Sequence, residues 1–313
     1  MIELAPLGAV FLECPLSHPS DHAKGLLITA IGGLVLTVDI PLIRLADGTP
    51  WSILLVRSAC TITAAIAVYA ILRGLGHKLP PLIPGKAGLV VTALYAASSI
   101  FFMLAVYNTT TANLVFILAL NPMLSALLAW VFLSERPRKQ TLIAMAVMLG
   151  GVMLIIDEGF SAGNLLGDGL AFLAAFTIAG AITITRSSGK DMGFTPLIAA
   201  AAPLLLAALM TAETGLHLEA PGWIIFNGLV IIPLSFFCLA NGPKWISGPE
   251  VAMFYLLETV LAPVWVWMIF AEVPSNQVLV GGIILITALV VHSLWQLHDG
   301  RKRRAALAPR HPV

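Results

Sequence analysis

Ten stretches of this chain are long and apolar enough to cross a lipid bilayer as helix, and almost no charge interrupts them. Crossing the hydrocarbon core takes about 20 helical residues. The runs in the first half cover residues 24–45, 51–72, 88–107, 112–133 and 140–156. Those in the second half cover 167–186, 194–212, 221–241, 249–270 and 277–297. A backbone surrounded by lipid has no water to bond, so each run must satisfy its own N–H and C=O groups, which selects helix. Composition agrees: 59% of residues are hydrophobic and 11% charged, against roughly 25% charged in soluble domains. The expected fold class is an all-α integral membrane protein of ten transmembrane helices. A formal net charge of +1 offers no basic field for nucleic acid. The bilayer and a small-molecule substrate are the expected partners, with the chain a monomer or weak homodimer.

The distribution of cations sets the expected orientation. With the N-terminus in the cytoplasm, fifteen of the seventeen Lys and Arg residues fall on the inner side. The exceptions are Arg44, at the outer end of the first span, and Arg57, inside the second. The outer loops carry Asp47, Asp157, Glu158, Glu213, Glu219 and Glu272 instead. This positive-inside bias predicts ten crossings with both termini cytoplasmic, because one false span would swap every later loop. Residues 1–23 have no cationic start or small-residue cleavage site and are expected to form a loose N-terminal segment. Residues 299–313, with Arg301, Lys302, Arg303 and Arg304, are expected to form a basic cytoplasmic tail. Cys14, Cys60 and Cys238 show neither CxxC nor metal-ligand spacing, so no disulfide framework, metal site or cofactor is expected.

The chain also repeats itself. Offset by about 137 positions, the segment 120–137 falls on 257–274 without a gap: Trp130 meets Trp267, Glu135 meets Glu272, and Pro137 meets Pro274. The first copy continues into Arg138 and Lys139, the second into Ser275, Asn276 and Gln277. One unit written twice with opposite terminal charge is the pattern of an inverted-topology repeat, as found in many transporters. Five spans per half force the second half upside down. The expected units are residues 24–157 and 158–298.

The phrase from Pro122 through Ala129-Trp130-Val131-Phe132-Leu133-Ser134-Glu135-Arg136, followed by Gly150-Gly151-Val152, resembles the drug/metabolite transporter superfamily. Within it, the chain is similar to the ten-span family with two EamA-type domains. Ser134 stands where that family commonly has glycine, and Thr259 replaces the proline in the second copy, with Pro263 four residues on. The resemblance implies a transporter of the bacterial inner membrane, in a superfamily that includes exporters of amino acids (the YddG type), of drugs and of nucleotide sugars.

Polar residues at membrane depth are the candidate functional groups, since a charge there is costly unless paired or used. Asp39 lies about six residues before the outer end of its span and Arg57 about six residues into the next, so both sit roughly 9 Å below the outer interface at 1.5 Å per residue. They are expected either to pair as a structural clamp or to let Arg57 bind a substrate carboxylate in competition with Asp39. Arg44 is an alternative partner for Asp39. Asn121 and Glu258 are repeat-equivalent and fall near mid-span. A pseudo-two-fold axis in the membrane plane would bring such positions to a central path. Low dielectric favours the neutral form of a carboxyl, which makes Glu258 the candidate proton site. Tyr95, Trp130, Tyr255 and Trp267 are aromatic candidates for the same path. Ala96-Ala97-Ser98-Ser99 and Gly32-Gly33 are expected to let helices approach closely.

These readings favour a secondary transporter that exports a small metabolite, an amino acid or similar compound, by alternating access with coupling to protons. An uncoupled facilitator of metabolites or lipids, or a drug or nucleotide-sugar transporter, is the alternative. No GxxxxGK[ST] phosphate loop occurs, and His292 is the one histidine inside a span, with no acid near it there. An intramembrane enzyme is therefore not expected.

Overall fold

The computed structural model describes residues 19–76, 79, 81–190, 192–241 and 248–307, by backbone alone at 19–21, 158–162, 240–241, 248–253 and 300–307. Among them, nine helices are long and apolar enough to cross a membrane: His22–Leu45, Pro50–Gly74, Gly85–Asn108, Thr111–Leu133, Lys139–Asp157, Leu165–Ser188, Thr195–Thr214, Pro221–Leu239 and Asn276–Asp299. A further helix, Gly248–Phe270, lies between the last two. We number these ten elements as spans one to ten in chain order, with Gly248–Phe270 as span nine.

Local chemistry explains where the spans start and stop. Proline occupies an early helical position in spans two and eight, where its missing N–H costs nothing. The hydroxyls of Thr49 and Thr110 accept from the N–H groups of Ser52 and Asn113 and so cap spans two and four. Spans four and nine end alike: Ser134 (φ 56°) and Ala271 (φ 55°), partners in the 137-residue register, both take the left-handed conformation. A side chain pays for that geometry and glycine does not.

Several spans are discontinuous. Span one breaks at Thr37 and Val38, between helices Pro19–Leu36 and Asp39–Leu45. The Thr37 hydroxyl donates to Leu34 O (2.7 Å) and accepts from Trp265 Nε1 of span nine (3.1 Å), satisfying polar groups at the break. Span four breaks after Leu118 and resumes at Asn121. Span eight contains a π-helical turn, Asn227–Ile231. Two expectations shift at the ends: residues 19–23 already belong to the first helix, and the last helix continues to Leu307, taking much of the basic tail with it. Cys14, the remainder of the N-terminal segment and Arg310 lie outside the described residues.

Span three packs along span six, one along eight, five along ten, two along seven, four along six, and one along nine. Small residues set these approaches, as expected in lipid. A Cβ on Gly33 would lie 2.6 Å from Phe254 O of span nine, and one on Gly281 would lie 2.6 Å from Gly151 O of span five. Ala96, Ala171, Ala174 and Ala175 are buried where spans three and six meet, and Ser98 Oγ donates to Ala174 O (3.2 Å).

Candidate functional site

Among the described residues, a buried ionic cluster joins spans one, two and eight. Asp39 opens the second half of broken span one and is 3% exposed. Arg57 Nη2 donates to both its carboxylate oxygens, at 3.1 and 2.9 Å. The expected depth match between these residues is thus a direct ion pair. Arg44 is no partner of Asp39; its guanidinium pairs with Glu272 instead. The cluster has a third member that sequence reasoning missed. Asn227, fully buried at the start of the π-helical turn, accepts from Arg57 Nε (3.1 Å) and donates to Asp39 Oδ1 (2.7 Å) and Asp39 O (3.3 Å). The Arg57 guanidinium also lies over the Phe102 ring, 5.6 Å from its centroid. A buried ion pair offsets its desolvation only when its remaining polar groups are satisfied, and Asn227 supplies that. An asparagine inside an apolar run was the available signal.

Glu258 lies on the face of span nine turned toward span one. Phe254, four residues before it, abuts Gly33, and Trp265, seven residues after it, bonds Thr37. At 3.6 residues per turn these three share one stripe. Glu258 is within electrostatic reach of Asp39 and Arg57, and Tyr255 is within reach of Tyr95 and Glu258. No hydrogen bond holds the Glu258 carboxyl among the described residues. Asn121 begins the second half of span four, with its Oδ1 buried and without a hydrogen-bond partner; Ser125 Oγ, one turn on, is in the same condition. Trp130, Tyr255 and Trp267 are 41%, 41% and 54% exposed, and no described residue bonds the two indoles.

Two further polar assemblies tie the ends of the bundle. At one end, Glu272 pairs with Arg44 and accepts from the Thr111 N–H (2.9 Å) at the start of span four. Nearby, buried Asp168 of span six accepts from the Thr109 hydroxyl (2.5 Å) and from Asn113 Nδ2 (3.3 Å). At this end, too, the backbone of Gly48 and Leu218 forms an antiparallel bridge, and Tyr107 donates to Gly48 O (2.7 Å). At the far end of span four, Glu135 pairs with Arg186 of span six (2.9 Å), and Arg138 pairs with Asp299. A recess of about 370 Å³ opens there, lined in part by Glu135, Arg136, Arg186 and Trp295. The two glutamates of the sequence repeat thus stand at opposite ends of the bundle. Asp168 and Asn113 were not singled out from sequence, because they read as ordinary residues at span edges.

The all-helical architecture, with its apolar spans and buried polar centre, defines a multi-pass membrane protein. Residues 23–157 match the profile of the EamA-like transporter family, and this domain indicates a membrane transporter of small metabolites. A solved structure titled "Crystal structure of protein" is similar in fold, with a TM-score of 0.60 and 16% sequence identity over 87% of this chain and 99% of its own. No curated protein matches the sequence.

Proposed function

We propose that this chain is a secondary transporter of a bacterial inner membrane, exporting a small metabolite such as an amino acid by alternating access. In this reading residues 24–157 and 158–298 are two inverted five-helix units, both termini are cytoplasmic, and the cargo path runs past Asp39, Arg57, Tyr95, Asn121, Tyr255 and Glu258. Trp130 and Trp267 are assigned to the rims of the path, where their exposed rings meet cargo or lipid.

The observation that carries the reading is the pairing of the two latches. Glu135 and Glu272 follow the two left-handed helix ends, and each binds an arginine from the end of the first span of one half: Arg186 of span six and Arg44 of span one. The packing pairs point the same way. Renumbering every span by five turns three-on-six into eight-on-one and four-on-six into nine-on-one, and leaves five-on-ten and two-on-seven unchanged. Such exchange symmetry is what two inverted halves would produce, and rocking one half against the other alternates access around a fixed centre. The Glu272 end is held by the more buried pair and by several backbone bonds, so the conformation described here is the one closed at that end.

Glu258 serves as the coupling site, taking up a proton in one access state and releasing it in the other. The test is solute flux in proteoliposomes with and without an imposed pH gradient. Gradient-driven flux should be lost in Glu258→Gln while counterflow persists. Flux that ignores the gradient, and is the same in Glu258→Gln, leaves an uncoupled facilitator. Labelling that put the Glu135 and Glu272 ends on one face of the membrane would overturn the inverted arrangement.

A further inference from the structure

We infer that the recess at the Glu135 end of the bundle is a binding site for the headgroup of an anionic phospholipid, whose phosphate is held by Arg136 together with Arg138 and Arg186. The inference needs only the membrane-spanning fold. In the orientation proposed above, this end faces the cytoplasmic leaflet.

The recess holds about 370 Å³, within the range of pockets that take small ligands. Span four contributes Ala126 and Ala129, whose small side chains leave the space open, and the turn after it contributes Glu135, Arg136 and Arg138. Span six ends there with Arg186, and span ten presents Trp295 and Asp299. The charges on these walls do not cancel. Glu135 pairs with Arg186 (2.9 Å) and Asp299 with Arg138, while Arg136 has no ion pair or hydrogen bond among the described residues. Three guanidiniums therefore line the recess with two carboxylates, and one positive charge is left over. The two paired arginines also keep donors in reserve. Arg138 commits Nη1 and Arg186 commits Nη2, and a guanidinium carries five N–H groups in a fork that matches phosphate.

Span ten favours a lipid over a soluble anion as the occupant. His292, Trp295, Gln296 and Asp299 follow one another at i, i+3, i+4 and i+7, which puts them on one helix face. They form a joined stripe. The His292 ring stacks on Trp295 with centroids 5.7 Å apart, Gln296 Nε2 lies 3.0 Å from His292 Nε2, and the Arg138 guanidinium sits over Trp295 at 5.6 Å. The stripe covers about 10 Å of helix at 1.5 Å per residue and ends where the apolar span ends, at Asp299. That is the depth at which headgroups meet hydrocarbon, and indole rings favour it. Large apolar side chains begin within a turn of the lining residues: Phe132, Ile143 and Leu294 are 74%, 64% and 51% exposed. Acyl chains attached to a bound headgroup would cover such surface, which a free anion could not. A zwitterionic headgroup brings its own ammonium into a recess that already has surplus positive charge, so the matching class is the anionic one.

Three probes test the assignment on the purified full-length protein in detergent: dioleoylphosphatidylglycerol, dioleoylphosphatidylcholine and inorganic phosphate. Bound molecules are counted by native mass spectrometry, and affinity is titrated by thermal shift. Phosphatidylglycerol should bind and raise Tm, whereas phosphatidylcholine and inorganic phosphate at the same concentration should do neither. Arg136→Gln should weaken phosphatidylglycerol at least about tenfold, and Arg136→Lys, which keeps the charge without the fork, should fall between the two. Arg73, an exposed cation in the last turn of span two and not among the lining residues, is the control. Arg73→Gln should change the affinity by less than about twofold. The comparison of probes on the unmodified protein needs no variant, so poor folding of one does not remove the test. Equal binding of the two lipids, inorganic phosphate that binds as tightly as phosphatidylglycerol, equal losses in Arg73→Gln and Arg136→Gln, or affinity unchanged in folded Arg136→Gln would each overturn the inference. The readout is lipid binding and not flux, so failure of the transport reading leaves these outcomes where they stand.

Discussion

Weakening the Glu272 latch should open its end of the bundle, and the size of the effect follows from what Glu272 holds. Its carboxylate pairs with Arg44 and accepts the Thr111 N–H, one of the unsatisfied donors at the start of span four. The pair is partly screened, with side chains 22% and 25% exposed, so its ionic part is worth about 1 kcal/mol at most. A negative acceptor at a helix N-terminus contributes roughly another 0.3–1 kcal/mol. Glu272→Gln keeps the shape and removes the charge, at a cost of about 1–2 kcal/mol, which is a factor of about 5–30 in the opening equilibrium. Ala112, 2% exposed and next to Thr111, is a suitable reporter. With Cys14, Cys60 and Cys238 replaced, Ala112→Cys should react with an impermeant maleimide about 5–30 times faster in Glu272→Gln. The repeat partner is the control. Glu135 and Arg186 are both 53% exposed, and a surface pair of that kind is worth little, so Glu135→Gln should change the labelling rate by less than about twofold. Equal acceleration by the two variants, or none by Glu272→Gln, would refute the assignment of unequal latches.

Other outcomes follow from the same geometry. Asp39→Asn and Arg57→Met should each lower stability by about 3–5 kcal/mol in detergent unfolding, since each strands a buried partner, and the double variant should recover part of that loss. Asn227→Leu should cost about 1–3 kcal/mol by leaving Arg57 Nε without its acceptor, again read as a fall in Tm. Ser134→Gly and Ala271→Gly should both raise Tm, each by the equivalent of about 1 kcal/mol, because glycine carries no steric penalty at φ 56° or 55°. Gly167→Ala should be strongly destabilising, because its Cβ would lie 2.2 Å from Asn108 O; Gly150→Ala, with nothing within 4 Å, should be neutral or stabilising by the same assay.

Apolar run length and the need to satisfy every backbone group in lipid were enough to read helices, their approximate ends and their order from the residues alone. The 137-residue register was equally plain, and it put Ser134 on Ala271 and Glu135 on Glu272, pairs whose backbone and ionic roles match in three dimensions. Asp39 and Arg57 were recognisable because charge inside lipid must be paired or used, and their equal depth pointed to each other. What could not be read was whatever depends on which face of one helix meets which face of another. Asn227, 188 residues from Asp39 in the chain, completes the ion pair only because span eight packs on spans one and two and distorts into a π-helical turn there. The same holds for the outward placement of Trp130 and Trp267: rotation of a helix about its axis is set by its neighbours, and an apolar run buried on several sides carries no periodic mark of which side that will be.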